Sequence, residues 1–424
     1  MTVSPRTPLK ALDDALQLLL GHAQALQEFE SVPTGEADGR VLAQDVVSGL
    51  HVPPQDNSAM DGYALCCAEV HDLGPEFSVS QRIAAGTSGI ALQPGTVARI
   101  FTGAPVPPGA DAVVMQEDCT VLAVADANAA DHSHSDGLPR VRVNSLPLPG
   151  QWIRRAGEDV AQGDVVLAKG RRLGPAELGL AASVGLAQLL VVRRPRVALF
   201  STGDELVMPG TVAPQDMKPG AIYNSNRFFL SALLRRLGCE VTDLGIVPDQ
   251  REATVQALRD AALAHDVILT SGGVSVGEED HIKPAVQTLG SLDLWQIAIK
   301  PGKPFAHGRI GAAHFLGLPG NPVSSLVTFW VLVRPFLLRL QGVADVAIKT
   351  VAARADFDWP RADKRQEFLR VRRNAAGGLD LFTNQSSGVL TSAVWGDGLV
   401  DNPANTSIVY GDTVRYVSFS ELLA

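Results

Sequence analysis

A chain of 424 residues, 46% hydrophobic and 19% charged, is too long for a single core and implies several domains of a globular protein. Its net charge of −9 excludes the basic face of a nucleic-acid binder, so an anion must be held by local groups rather than by the field of the whole molecule. Its 40 glycines and 27 prolines favour tight turns and short strands.

The start MTVSPRTPLK lacks the apolar core of a signal peptide, and the apolar stretches Leu178–Val192 and Leu326–Leu338 fall short of a bilayer span. Cys66, Cys67, Cys119 and Cys239 match no zinc spacing, so reduced structural thiols in a cytoplasmic protein are expected.

Leu9, Leu12, Leu16 and Leu19 form one apolar stripe, which predicts an amphipathic helix ending at Gly21. From Val52 to about Gly150, short apolar runs are cut by Pro and Gly, the pattern of a small β domain. Within it Asp126–Gly137 reads as a solvated loop, with His132 and His134 as filler rather than ligands. Residues 151–192 change texture again, with Pro175 placed to begin a helix.

Strands are then predicted at Val197–Ser201, Val241–Val247, Val267–Thr270, Trp295–Ile299 and His314–Leu318. They alternate with helices at Asn226–Leu237, at Glu252–Ala264 and from Asn321-Pro322 to about Leu340. That alternation means a mostly parallel sheet covered on both faces. From about Val343 the pattern is again β, through FLRVRR, LDLF and RYVSF, a small barrel or sandwich.

In such a sheet, ligands bind outside the carboxyl ends of the strands. Three polar clusters fall there: STGDEL, with Thr202 to Glu205; SGGVSVGEED, with Ser271 to Asp280; and GLPGNPVSS, leading into a helix N-terminus. Free N–H groups in such turns and helix starts hold phosphate. The glycine spacing matches neither GxxxxGK[ST] nor GxGxxG. A glycine turn alone is only a tight connection. The acids Glu278, Glu279 and Asp280 beside it fit a Mg²⁺ set between carboxylates and phosphate oxygens. A fourth cluster, IKPGKPFAHG, reads as a compact cationic pocket of Lys300, Lys303 and His307.

DNSAMDGYA (Asp56–Ala64), RIFTGAPVP, RRAGEDV, FSTGDEL, SGGVSVGEED, IKPGKPFA and GLPGNPVSS, in this order, resemble the molybdopterin molybdenumtransferase family, to which the E domain of gephyrin is similar. The resemblance runs from about Leu9 to Phe419. It implies a multidomain α/β plus β fold: a MogA-like α/β domain at 193–342, a small β domain at 52–150 and a C-terminal β-barrel at 343–424. A discontinuous linker and dimerisation domain would comprise 1–51 and 151–192.

The implied activity inserts molybdate into adenylylated molybdopterin with Mg²⁺ and releases AMP. It would occur in a homodimer whose active cleft is shared by two subunits and which transiently contacts the molybdopterin adenylyltransferase. By motif, Asp61 and Thr102 would reach into the partner subunit's cleft, while Glu205 and Asp249 would line its α/β side. Asp280, with Glu278, would hold the metal, and Asp159 lies between domains. Ser271, Gly272, Gly273, Pro319 and Pro322 would contact the nucleotide or cofactor. Lys300 and Lys303 would attract molybdate, and Arg370 and Ser387 would complete the oxyanion site. The Asp126–Gly137 insertion, Cys66-Cys67 and His307 depart from the family pattern. The rival readings are a tungstate-specific paralogue, a scaffold that binds through an exposed apolar groove, and the adenylyltransferase itself.

Overall fold

The structure, a computed structural model, describes residues 9–122, 139–248, 250–273 and 281–423. The chain forms two compact units. Unit one gathers Met1–Gln44, Lys169–Gly174 and Gln188–Ala424; unit two gathers Asp45–Ala168 and Pro175–Ala187.

Unit two is built on a six-stranded sheet in the order Ala112–Met115, Gly62–Leu65, Thr96–Ile100, Glu76–Ile83, Arg140–Val143, Cys119–Leu122. Alternation sorts its side chains: Val141 and Val143 turn into a core with Tyr63, Leu65, Phe77 and Val97, while Arg140 and Arg142 stay outside. Ala64, Ile83, Ala98 and Ile100 pack on the opposite face. Gly62 admits no side chain, because a Cβ there would run into the Val114 carbonyl.

Unit one begins with α1 (Leu12–His22), whose Leu12, Ala15 and Leu19 are buried. The helix starts later than its leucine stripe suggests. Leu9 and Lys10 run extended, and Lys10 exchanges backbone hydrogen bonds with Gln296 and Ala298.

A six-stranded sheet follows. In chain order its elements are β1 (Arg196–Thr202), α2 (Asn226–Arg236), β2 (Glu240–Val247), α3 (Arg251–Ala264), β3 (Val267–Ser271), α4 (Ile282–Leu289), β4 (Gly290–Gln296), β5 (Pro304–Ile310) and β6 (Ala313–Leu318). The spatial order is β2-β1-β3-β6-β5-β4, parallel across the first four strands and antiparallel across the last two pairings. Strand parity divides the core. Val197, Leu199 and Leu269 face α1, α2 and the long helix; Ala198, Phe200 and Ile268 face α3 and α4.

The predicted strand Trp295–Ile299 is in fact the end of β4 and a separate two-residue strand, Ile299–Lys300. Helix α4 and strand β5 carry no sequence expectation. The run PFAHGRI, whose first residues belong to the cationic cluster IKPGKPFAHG, pairs on both sides as β5. His307 therefore leaves the cationic pocket assigned to it. It is 2% exposed on β5, its ring stacked 4.6 Å from His22 and 5.8 Å from His314.

Pro322–Leu340 is one long helix, α5, interrupted by a π-helical turn at Phe329–Val333 just before Pro335, which lacks an N–H. It is long and apolar enough to span a bilayer, but 94% of its most apolar window is buried inside the protein.

The remainder closes a five-stranded barrel of β7 (Val351–Ala355), β8 (Gln366–Arg373), β9 (Gly378–Leu381), β10 (Gly398–Asn402) and β11 (Thr413–Ser418). The ring runs β8-β9-β7-β11-β10 and back to β8 around Phe357, Leu369, Val371 and Tyr416. Ile299–Lys300 adds in parallel to β8 at Gln366 and Glu367, joining sheet and barrel by main-chain bonds. Between α1, α5 and the barrel lies an apolar groove of about 240 Å³, walled by Leu12, Leu16, Val331, Pro335 and Phe368.

Candidate active site

The strand order 2-1-3 reverses between β1 and β3, and a cavity of about 600 Å³ opens there, lined by Thr202 at the end of β1 and Ser271 and Gly272 at the end of β3. Pro319, Gly320 and Asn321 reach it from β6, Pro322 and Ser324 from the first turn of α5, and Asn224 to Asn226 from the start of α2. Glu205 is its one charged wall residue among the described residues, and Gly388 enters from the barrel.

The glycine turn is shaped for this junction. Gly272 and Gly273 have φ of +94° and +68°, and Gly272 N–H donates to the Leu318 carbonyl at 3.0 Å. A Cβ on Gly273 would strike Ile282. Ser271 is held from both sides: its Oγ accepts from Asn226 Nδ2 at 2.7 Å and faces the Pro319 carbonyl, and Asn226 Nδ2 also donates to the Gly320 carbonyl at 2.7 Å. Asn224, 2% exposed, accepts on Oδ1 from the Arg227 N–H, while its Nδ2 has no partner. An unpaired buried donor costs about 1–3 kcal/mol.

The α5 start is less open than its Asn-Pro signature suggests. Pro322 has no N–H, and the Val323 N–H donates to the Ser387 carbonyl at 2.9 Å, so the barrel loop uses a donor expected to be free. That loop is fixed by Arg370, 1% exposed, which donates to Phe368 O (3.0 Å), Ser386 O (3.3 Å) and Ser392 Oγ (3.1 Å). These partners are uncharged, and burial brings the Arg370 pKa down to about 10. Of its five N–H groups, two remain for another acceptor beside the loop that carries Gly388.

Neither lysine lines the cavity. Lys300 Nζ donates to Glu367 Oε1 at 2.9 Å and lies 3.4 Å from Asp363. Glu367 is 1% exposed and also accepts from Trp359 Nε1 at 2.8 Å, so Lys300 neutralises a buried carboxylate. Lys303 is exposed, without an ion pair among the described residues, and adjoins Pro304 of the cavity wall. The paired-lysine pocket thus resolves into one engaged cation and one free one.

In unit two, Asp61 Oδ1 accepts from both Thr102 N–H (2.8 Å) and Thr102 Oγ1 (2.7 Å). These bonds hold the Asp61 carboxyl below its ordinary range, hence ionised. Asp56 is bound structurally by Arg155 (2.6 Å) and the Ala156 N–H (2.8 Å). Asp159 is exposed. Asp249, Glu278 and Asp280 lie outside the described residues. Among the described residues, no three His, Cys, Asp or Glu side chains group to hold a metal.

Sequence reading missed Asn224, Tyr223 and Gly388 as wall residues. The segment IYNSN carried the available signal, two amides flanking a serine at a helix start, but it reads equally well as an ordinary cap.

Comparison with known proteins follows the same outline. Residues 10–185 match the family described as MoeA N-terminal region (domain I and II), 198–339 the probable molybdopterin binding domain, and 352–419 the MoeA C-terminal region (domain IV). The Haemophilus influenzae molybdopterin molybdenumtransferase is 41% identical over 359 residues, covering 82% of this chain and 84% of that protein. Molybdopterin molybdenumtransferase 2 of Mycobacterium tuberculosis is 37% identical over 396 residues, 90% and 93% of the two chains. A crystal structure of the molybdopterin biosynthesis MoeA protein from Pyrococcus horikoshii superposes with a TM-score of 0.81 at 27% identity, covering 97% of this chain and 100% of that one. With its cavity walled, apart from Gly388, by the segment matched to the probable molybdopterin binding domain, the chain belongs to the molybdopterin molybdenumtransferase family.

Proposed function

We propose that this protein is a transferase of molybdenum cofactor biosynthesis, inserting molybdate into adenylylated molybdopterin with release of AMP. The observation that carries the reading is the switch-point cavity, walled by Ser271, Gly272, Pro319 and Pro322 and closed by the Ser387–Gly388 loop.

Ser271, oriented by Asn226, offers a hydroxyl to the bound substrate, and the Gly272-Gly273 turn lets the substrate approach the main chain. Arg370 and Lys303 supply positive charge for the molybdate dianion, and Ser387 a hydroxyl, as such groups serve phosphate. Lys300 acts from its pair with Glu367, positioning rather than capturing.

Mg²⁺ fits this wall only in part. Glu205 is the described carboxylate on it, and one or two carboxylates plus substrate phosphates are the usual Mg²⁺ set. Asp280 and Glu278 would complete that set with Glu205 and Asp249 nearby. When bound, the ion neutralises charge on the phosphoanhydride. Asp61, kept ionised by Thr102, would act with it across a homodimer in the cleft of the partner subunit. The division into 1–51 with 151–192, 52–150, 193–342 and 343–424, a cytoplasmic location and a transient contact with the adenylyltransferase belong to the same proposal.

The test is AMP release by purified protein given adenylylated molybdopterin and Mg²⁺, with molybdate or with tungstate. Release dependent on molybdate supports the proposal, and release with tungstate alone makes the protein a tungstate paralogue. Silence with both overturns the enzymatic reading and leaves the scaffold, which the apolar groove beside α1 favours. Asp280→Ala is expected to abolish AMP release with the fold intact, and full turnover would remove its metal role.

A further inference from the structure

One side chain in the cavity wall keeps a hydrogen-bonding group that the protein itself never uses. Asn224 Oδ1 accepts from the Arg227 N–H at 3.3 Å, and this fixes the amide, since a flip would set NH₂ against N–H. Nδ2 is left without a partner. Ser201 Oγ, Thr270 Oγ1 and Ser325 Oγ are likewise buried and unpartnered, but of the described residues in that condition Asn224 alone lines the cavity. A donor stranded inside a packed core is a defect, whereas one stranded at a cavity wall is completed when a ligand brings an acceptor.

The rest of the wall says what kind of acceptor. Among the described residues no lysine or arginine lines the cavity, and Glu205 is its one charged residue. Pro304, Pro319, Tyr223 and Ile222 supply apolar surface for a flat ring. Beside those apolar surfaces, an amide donor and a carboxylate acceptor on the same wall match the pyrimidine edge of a pterin, where a ring carbonyl adjoins a ring N–H and an amino group. Adenine can meet the amide at a ring nitrogen but offers a carboxylate only its amino group, whereas the pterin edge presents a ring N–H and an amino group together, one for each carboxylate oxygen. Resting on the reading of this cavity as the molybdopterin site, we infer that Asn224 is a ligand-binding residue: its amide N–H donates to the ring carbonyl of the bound pterin, while Glu205 accepts from the donors of the same edge.

The test uses the full-length protein and Asn224→Ser, whose hydroxyl can still cap the Arg227 N–H but withdraws the donor from the cavity. Both proteins are titrated calorimetrically with adenylylated molybdopterin and, separately, with AMP, and their thermal unfolding is compared. The variant is expected to bind the pterin-bearing ligand about tenfold or more weakly and AMP unchanged. Unchanged affinity for the pterin ligand, or an equal loss for both ligands, overturns the inference. Wild-type protein that binds AMP but not the pterin ligand overturns the reading of the cavity itself, and the inference with it. If Asn224→Ser unfolds, the isosteric Asn224→Asp carries the same comparison, with a greater loss for the pterin ligand than for AMP expected and an equal loss overturning the inference.

Discussion

Asn224 and His307 of unit one each bury a polar nitrogen without a partner, and they differ in what surrounds it. At the carboxyl ends of the strands, Asn224 Nδ2 borders a cavity. Near the amino end of β6, His307 Nδ1 is enclosed among the rings of His22, Trp295, His314 and Phe336. There the Arg309 guanidinium lies 3.2 Å from His314 Nε2, and His314 Nδ1 lies 3.5 Å from His307 Nε2. The arginine can only donate, so His314 carries its proton on Nδ1 and passes a donor to His307, whose own N–H then has nowhere to go. The same deficit is a docking point beside empty space and a liability inside packed rings.

The comparison breaks most severely at Arg370. Arg370→Ala would leave the carbonyls of Phe368 and Ser386 unpaired and free the loop beside the cavity. A loss of about 3 kcal/mol or more in urea unfolding is expected, together with collapse of AMP release. Unaltered unfolding would mean that the loop holds itself.

Acid probes the other region. Burial first, then the neighbouring His22, His314 and Arg309, bring the His307 pKa down to about 3; burial, Arg309 and His22 bring His314 down to about 4, with Asp266 opposing. Arg309 and Asp293 share the sheet face with His307 as their cross-strand register dictates. Both histidines are thus neutral in the fold and take protons more readily when unfolded. Their contribution is complete above about pH 6.5 and is lost as the pH falls toward 4, on the order of 1 kcal/mol per pH unit for each group. Denaturation midpoints measured from pH 7 to pH 4.5 check this slope. His307→Phe, which removes the orphaned N–H and keeps a ring against His22, is expected to reduce the slope by about half, His314 remaining, while leaving AMP release at pH 7 unchanged. An equally steep slope would assign the acid sensitivity to carboxylates elsewhere.

The smallest effect sharpens the cavity side. Lys303→Gln is expected to raise the molybdate concentration for half-maximal rate severalfold without changing the unfolding midpoint, because Lys303 is exposed and engages no described carboxylate. Lys300→Gln should instead lower stability, by stranding Glu367. Reversed outcomes would exchange the roles of the two lysines.

The parts of this molecule legible in sequence were those written by local rules. Runs such as Val197–Ser201 announce buried parallel strands, and SGG after Val267–Thr270 announces a turn at a strand end. What escaped depends on partners far along the chain. Lys300 looks like half of a cationic pair until Glu367, 67 residues later, is brought against it. PFAHG looks like the end of a cationic pocket until β4 and β6 flank it. Asn224 looks like a helix-start amide, and only the cavity beside its unused nitrogen separates it from Asn226, whose amide nitrogen makes two hydrogen bonds.

The two-residue strand Ile299–Lys300 has a practical outcome for anyone dissecting this protein. Because it hydrogen-bonds the barrel's β8 directly, the barrel is moored to the α/β sheet and carries Ser387 and Gly388 to the cavity mouth. Expressing the α/β segment alone, cut after Gly342, would strip Glu367 from Lys300 and open one side of the pocket. A minimal ligand-binding fragment must therefore extend through the last barrel strand.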